Sequence, residues 1–117
     1  MQVHPLDAED PTPPFEQLRA QLAGRVADGS LPAGTRLPTV RAVAAGLGLA
    51  VNTVAKAYRA LESDGVVVTE GRRGTFVAST AGAGTPAAEE AARAYVAAAR
   101  RAGLTLPEAV RLVERDW

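Results

Sequence analysis

Apolar residues recur at spacings of three and four over Phe15, Leu18, Leu22 and Val26, which predicts one face of an amphipathic helix. Pro14 suits the first turn of that helix, and Gly29, following Asp28, suits its end. Leu31-Pro32-Ala33-Gly34 then fits a type I turn, with Pro second and Gly fourth. A second helix opens at Pro38-Thr39, with Thr39 as its cap and Val40, Val43, Ala44 and Leu47 as its apolar stripe. Gly46 and Gly48 bracket the exit. A third helix is predicted from near Ala50 to about Ser63, turning Val54, Ala57, Tyr58 and Leu61 inward and Asn52, Thr53, Lys56 and Arg59 outward.

After Gly65 the period changes. Val66, Val67, Val68 and Thr69 are β-branched and favour a strand; Glu70-Gly71-Arg72-Arg73-Gly74 reads as a hairpin tip, and Thr75, Phe76 and Val77 as the returning strand. Two further helices follow a small-residue segment. Pro86 opens an alanine-rich one to about Ala102, with Ala91, Tyr95, Ala98 and Ala102 on one side, and Gly103 breaks it. Thr105 caps the last, with Glu108 placed for a capping box and Leu106, Val110, Val113 and Trp117 on one stripe.

Two short helices across a tight turn, followed by a hairpin with a basic tip, is the order of parts in a winged helix-turn-helix. The expected fold class is therefore mainly α with a small β-hairpin: a winged helix-turn-helix followed by a two-helix C-terminal dimerisation region. The expected organisation is a flexible leader over residues 1–12, a DNA-binding domain over 13–78, a linker over 79–85 and a helical dimerisation tail over 86–117. Pro5, Pro11 and Pro13 among acids mark the leader, and the run STAGAGT marks the linker.

Charge sharpens this picture. The net charge of zero over 117 residues conceals a partition. Residues 1–18 hold four acids and no base, residues 19–73 hold eight bases against four acids, and residues 74–117 hold five of each. The positive excess thus falls on the helix-turn-helix segment, as a DNA-facing surface requires. A length of 117 residues allows one domain and an appendage. With no cysteine, neither a disulfide framework nor a thiolate metal site is available. The longest near-apolar run, Ala42 to Val51, is ten residues with two glycines, too short to span a bilayer. Asp7, Glu9 and Asp10 stand where a secretory signal would carry Lys or Arg, so a cytoplasmic location is expected. One histidine, His4, and no pocket-forming carboxylate cluster leave no candidate catalytic residue, so no enzyme, metal or cofactor is expected.

The stretch from Pro14 to Val77 resembles the GntR family of bacterial transcriptional regulators. The matching residues are Phe15-Glu16-Gln17-Leu18, Gly29 with Leu31-Pro32-Ala33-Gly34, Leu37-Pro38-Thr39-Val40-Arg41, Asn52-Thr53-Val54, Ala57-Tyr58, Leu61, Asp64-Gly65 and Gly74-Thr75-Phe76-Val77. The short tail ending in GLTLPEAVRLVERDW resembles the YtrA-type subfamily, whose members carry only a small helical region for dimerisation. The resemblance implies a sequence-specific DNA-binding regulator: a homodimeric repressor on a near-palindromic operator, with the third helix in the major groove and the basic wing at the adjacent groove. It implies DNA contacts at Arg41, at Asn52 and Thr53, and across the wing at Arg72, Arg73 and Gly74. Arg36, Thr39 and Lys56 complete the expected DNA-binding set.

The chemistry agrees, because Arg can bind guanine and Asn can bind adenine in bidentate fashion. Tyr95, Ala98, Leu106, Val110, Val113 and Trp117 are the expected dimerisation residues. The expected partners are double-stranded operator DNA and a second copy, with no membrane; the tail has too few convergent polar groups to nominate an effector. Two positions depart from the family pattern. Ala50 stands where relatives carry a capping Ser or Asn, and Val51 where they often carry Arg or Pro. Val51 has no hydrogen-bonding group, so it either packs internally or meets a thymine methyl. These two residues also keep open an alternative, a winged-helix protein-interaction module without sequence-specific DNA binding.

Overall fold

The computed structural model describes residues 3–79 and 86–117. Its backbone divides into two compact units, Met1–Thr80 and Ala81–Trp117. The described residues form five α-helices and one two-stranded antiparallel sheet, in the order α1 (Pro14–Ala27), α2 (Val40–Leu47), α3 (Val51–Ser63), β1 (Val67–Thr69), β2 (Thr75–Val77), α4 (Pro86–Arg101) and α5 (Leu106–Asp116). The mainly helical winged fold expected from the pattern is the fold observed.

In the first unit α1 and α2 both pack on α3. The predicted inward residues meet there: Leu18 and Leu22 of α1, Val43 and Ala44 of α2, and Val54, Ala57, Tyr58 and Leu61 of α3 are all buried. Val67 and Val77, paired across the sheet, close the same core from the wing side. Each helix end follows local chemistry. α1 ends at Ala27, and Gly29 takes φ +85°, a left-handed conformation that a Cβ would strain. Thr39 caps α2, its Oγ1 accepting the Ala42 N–H at 3.1 Å. α3 starts on Ala50 with no side-chain cap, as the sequence implied.

Two features of this unit differ from the expectations. The Leu31–Gly34 turn is shifted by one residue: Thr35 N donates to Pro32 O, which puts Gly34 third, at φ +85°. A left-handed third position belongs to a type II turn, and glycine meets that need directly. The shift frees the Gly34 N–H to donate to Val77 O, while Leu37 N donates to Thr75 O and Val77 N to Thr35 O. Residues 34–37 therefore lie along the open edge of β2, with an isolated bridge between Arg36 and Phe76, so the wing is anchored on both sides.

The leader is the larger difference. Described from residue 3, it is clasped to α1 rather than free. The Gln17 side chain accepts from Asp7 N and donates to Asp7 O and Thr12 O, and one turn on, Gln21 accepts from His4 N and donates to His4 O. Val3 and Leu6 pack against the core. Its acids shape the backbone: Asp7 accepts from Glu9 N and Asp10 from Thr12 N, and the latter bond holds the Asp10 carboxyl below the usual range. The expected linker, residues 79–85, lies outside the described residues except for Ser79.

The second unit is a helical hairpin. Thr105 caps α5 in a capping box: Glu108 N donates to Thr105 Oγ1, and Thr105 N donates to the Glu108 carboxylate at 2.9 Å. That bond lowers the Glu108 pKa. α4 ends at Arg101; on it Ala99 is buried and Tyr95 half-buried, while Ala91, Ala98 and Ala102 are exposed. An alanine-rich helix gives so little contrast between faces that its register is poorly marked in sequence.

Candidate nucleic-acid interface

The hydroxyl of Tyr58, buried at 7% exposure on α3, donates to Pro38 O at 2.7 Å. It ties the recognition-type helix to the residue preceding the α2 cap. Burial raises the phenol pKa to about 12, so the hydroxyl remains a donor across the physiological range. This contact sets the start of α2, where Thr39 and Arg41 stand exposed. The Thr39 hydroxyl already accepts a backbone N–H; only its proton and second lone pair remain for a further partner.

Arg41 lies one residue inside α2, exposed, and among the described residues neither it nor Arg72 nor Arg73 forms an ion pair. Exposed arginines without an ion-pair partner in the chain are open to the phosphates of a polyanion.

On α3, Asn52 is exposed in the first turn, whereas Thr53 is half-buried and its N–H donates to Ala50 O. Asn52, Lys56 and Arg59 follow one another at spacings of four and three, along the exposed face opposite the buried stripe. Lys56 is not free on that face: its Nζ sits 4.0 Å from the centroid of the Phe15 ring. Reaching a phosphate would require it to leave that ring. Arg59, absent from the expected set, shares the Asn52 face, and the helical period alone could have nominated it.

The wing tip is built by two glycines. Gly71 takes φ +57° and Gly74 φ +115°, and Glu70 N donates to Gly74 O at 2.8 Å to close the loop around a 3-10 turn, Gly71–Arg73. Arg72 and Arg73 are held out to solvent at that turn. Gly74 also meets a neighbour: a Cβ there would stand 2.8 Å from Nε of Arg36. Arg36, paired to Phe76 through the backbone, thus lays its guanidinium against the wing. The tip end of β1 is fastened to α3, with Thr69 Oγ1 donating to Glu62 at 2.8 Å.

In the tail hairpin the expected interface residues separate into two groups. Tyr95 is half-buried and donates its hydroxyl to Ala109 O, so it holds α4 to α5 within the chain. Ala98 is exposed, and so are Leu106, Val110, Val113 and Trp117, with Leu106 at 76% and Trp117 at 101%. Among the described residues no cluster of His, Cys, Asp or Glu is arranged to hold a metal ion, and no helix is long and apolar enough to cross a membrane.

Comparison with known proteins agrees with this geometry. The family model for bacterial regulatory proteins of the gntR family matches residues 14–77. The chain is 50% identical over 106 residues to the HTH-type transcriptional regulator Rv1152 of Mycobacterium tuberculosis, covering 91% of this chain and 87% of that protein. It is 36% identical over 76 residues to the HTH-type transcriptional repressor YtrA of Bacillus subtilis, covering 65% of this chain and 58% of YtrA. Among solved structures, the DNA-binding domain of AraR in complex with operator ORE1 superposes with a TM-score of 0.56 at 26% identity, covering 67% of this chain and 95% of that one.

Proposed function

Since the chain belongs to the gntR family of bacterial regulatory proteins and is a DNA-binding transcriptional regulator resembling YtrA, we propose that it is a homodimeric repressor that binds a near-palindromic operator. The carrying observation is the unneutralised arginine set on the two presented elements, Arg41 at the start of α2 and Arg72 and Arg73 at the wing tip. In this reading the first turn of α3 enters the major groove with Asn52 toward bases, and Arg41 contacts a guanine edge or a phosphate. Thr39 and Thr53 meet backbone phosphates, and Lys56 exchanges its ring contact for one. Arg72 and Arg73 reach the adjacent groove, with Gly74 and Arg36 setting the approach of the wing.

A second copy covers Leu106, Val110, Val113 and Trp117, and two-fold symmetry then dictates paired half-sites about one helical turn or a multiple apart. Repression follows by occupancy of the promoter, the role carried in the name of the YtrA relative. A cytoplasmic location belongs to the same reading.

The test is fluorescence-anisotropy titration of the full chain against duplexes tiled across the upstream region of its own gene, at several salt concentrations. Tight binding to one tile is expected, with log K falling against log salt by about 0.9 for each phosphate contacted. In vitro transcription from that tile should fall as protein is added. Absence of binding even at low salt would replace this reading with the protein-interaction module.

A further inference from the structure

Val51 is the first residue of α3 and one of the exposed large hydrophobic residues of the winged unit. It is 43% exposed and lies outside both the core cluster and the hydrophobic residues packed against that cluster. Its isopropyl group cannot cap the helix, and a β-branched residue is a poorer helix former than alanine. Of the two roles open to it from the sequence, its exposure favours contact with a partner over a place in the core. Ala50 before it is exposed as well and makes no cap bond, so the leading end of the helix is a small apolar tip with Asn52 directly behind.

We propose that Val51 is a specificity-determining residue that selects a thymine through its 5-methyl group. The inference rests on the reading above, that the first turn of α3 enters the major groove. Among the groups that base pairs present there, the thymine methyl is the apolar one, and an aliphatic side chain is its natural counterpart. The neighbouring Asn52 carries the amide that pairs with adenine N6 and N7. Together the two residues make the helix tip a reader of A·T steps, where an arginine in place of Val51 would read guanine. Specificity then divides within each half-site: the α3 tip takes A·T pairs, and Arg41 is left the guanine contact.

The experiment uses the full chain and a duplex selected by it from a randomised pool, with each thymine replaced in turn by deoxyuridine, which lacks only the methyl. Loss of one buried methyl corresponds to about a fourfold weakening. We expect that loss at one thymine per half-site with the wild type. Val51→Ala, at an exposed site and with better helix propensity, should bind the thymine and uridine duplexes equally, which closes a double-mutant cycle on the methyl contact. Val51→Thr, which keeps one methyl, should retain part of the discrimination. Uridine indifference in the wild type, or a full fourfold preference surviving in Val51→Ala, overturns the assignment while leaving the DNA reading in place. If selection yields no preferred sequence, or if Arg41→Ala and Asn52→Ala bind as well as wild type, the DNA reading falls and this inference falls with it.

Discussion

The two units of this chain handle their apolar residues in opposite ways. In the winged unit Leu18, Leu22, Val54 and Leu61 are at most 1% exposed. In the tail hairpin Ala99 is the one buried hydrophobic residue among those described, while Leu106 and Trp117 stand open. Both obey the same local rules, with capped helices and glycine stops, so local propensity does not separate them. What separates them is whether the apolar stripes find partners within their own unit. The winged unit closes on itself, whereas the tail stripe is left for the second copy of the proposed dimer.

The largest effect should come from the self-contained side. Leu61→Ala removes a fully buried side chain and should cost about 2–5 kcal/mol in denaturant unfolding of the winged unit. A loss under about 1 kcal/mol would mean that this core is looser than its burial implies. Exposed Leu106 offers the contrast. Paired with Val113→Asp, Leu106→Glu should leave monomer stability within about 0.5 kcal/mol, yet remove the concentration dependence of the melting temperature that a dimer displays. Sedimentation equilibrium that shows the variant as dimeric as the wild type would discard the tail as the interface.

Arg41→Ala should weaken binding to the selected duplex by about 1–3 kcal/mol with little change in stability. Unchanged affinity and sequence preference would remove Arg41 from the interface. Tyr58→Phe deletes one hydroxyl and should cost about 1 kcal/mol of stability. Its alkaline behaviour has a definite sign. The folded phenol has a pKa raised from 10.0 to about 12, so the stability it provides is complete below pH 10 and lost as pH rises through about 12. The phenylalanine variant should lack that alkaline limb in a pH series of thermal melts, and its persistence would assign the limb to another group.

An effect of similar size belongs to the tail. The Glu108 carboxyl is held below its ordinary pKa by the Thr105 N–H, so its contribution is present above the unfolded value and lost as pH falls through the folded one. Thr105→Ala should cost about 0.5–2 kcal/mol, and Glu108→Gln, which no longer titrates, should flatten the acid loss of helicity seen by circular dichroism. An identical acid profile in the glutamine variant would rule out the capping box as its source.

Much of this architecture was legible in the sequence, and the reason is periodicity. Phe15, Leu18, Leu22 and Val26 on α1, and Val54, Ala57, Tyr58 and Leu61 on α3, differ sharply in hydrophobicity from their neighbours, so their faces could be assigned. Thr39 and Thr105 stood at helix starts and proved to be caps. Where contrast was weak, no single residue could be marked as buried: α4 buries Ala99 among alanines that look alike. The leader misled because prolines and acids resemble disorder by composition, while the fastening lies elsewhere in the chain, on Gln17 and Gln21. In the candidate site, the elements could be placed from sequence but their contacts could not. Neither the Lys56–Phe15 pair nor the approach of Arg36 to Gly74 leaves a local signal, because each joins residues distant in sequence.

The glutamine clasp on α1 has one further consequence. Gln17 and Gln21 grip the main chain of His4, Asp7 and Thr12, and a grip on N–H and C=O groups is indifferent to the side chains that those residues carry. Apart from Val3 and Leu6, which fill space at the core edge, and Asp7 and Asp10, whose carboxylates hold local turns, the segment so held can drift in composition and charge while keeping its path. Two interior letters thus fix the course of ten or so neighbours, and a lineage could recolour the rest of that stretch so long as it keeps the pair.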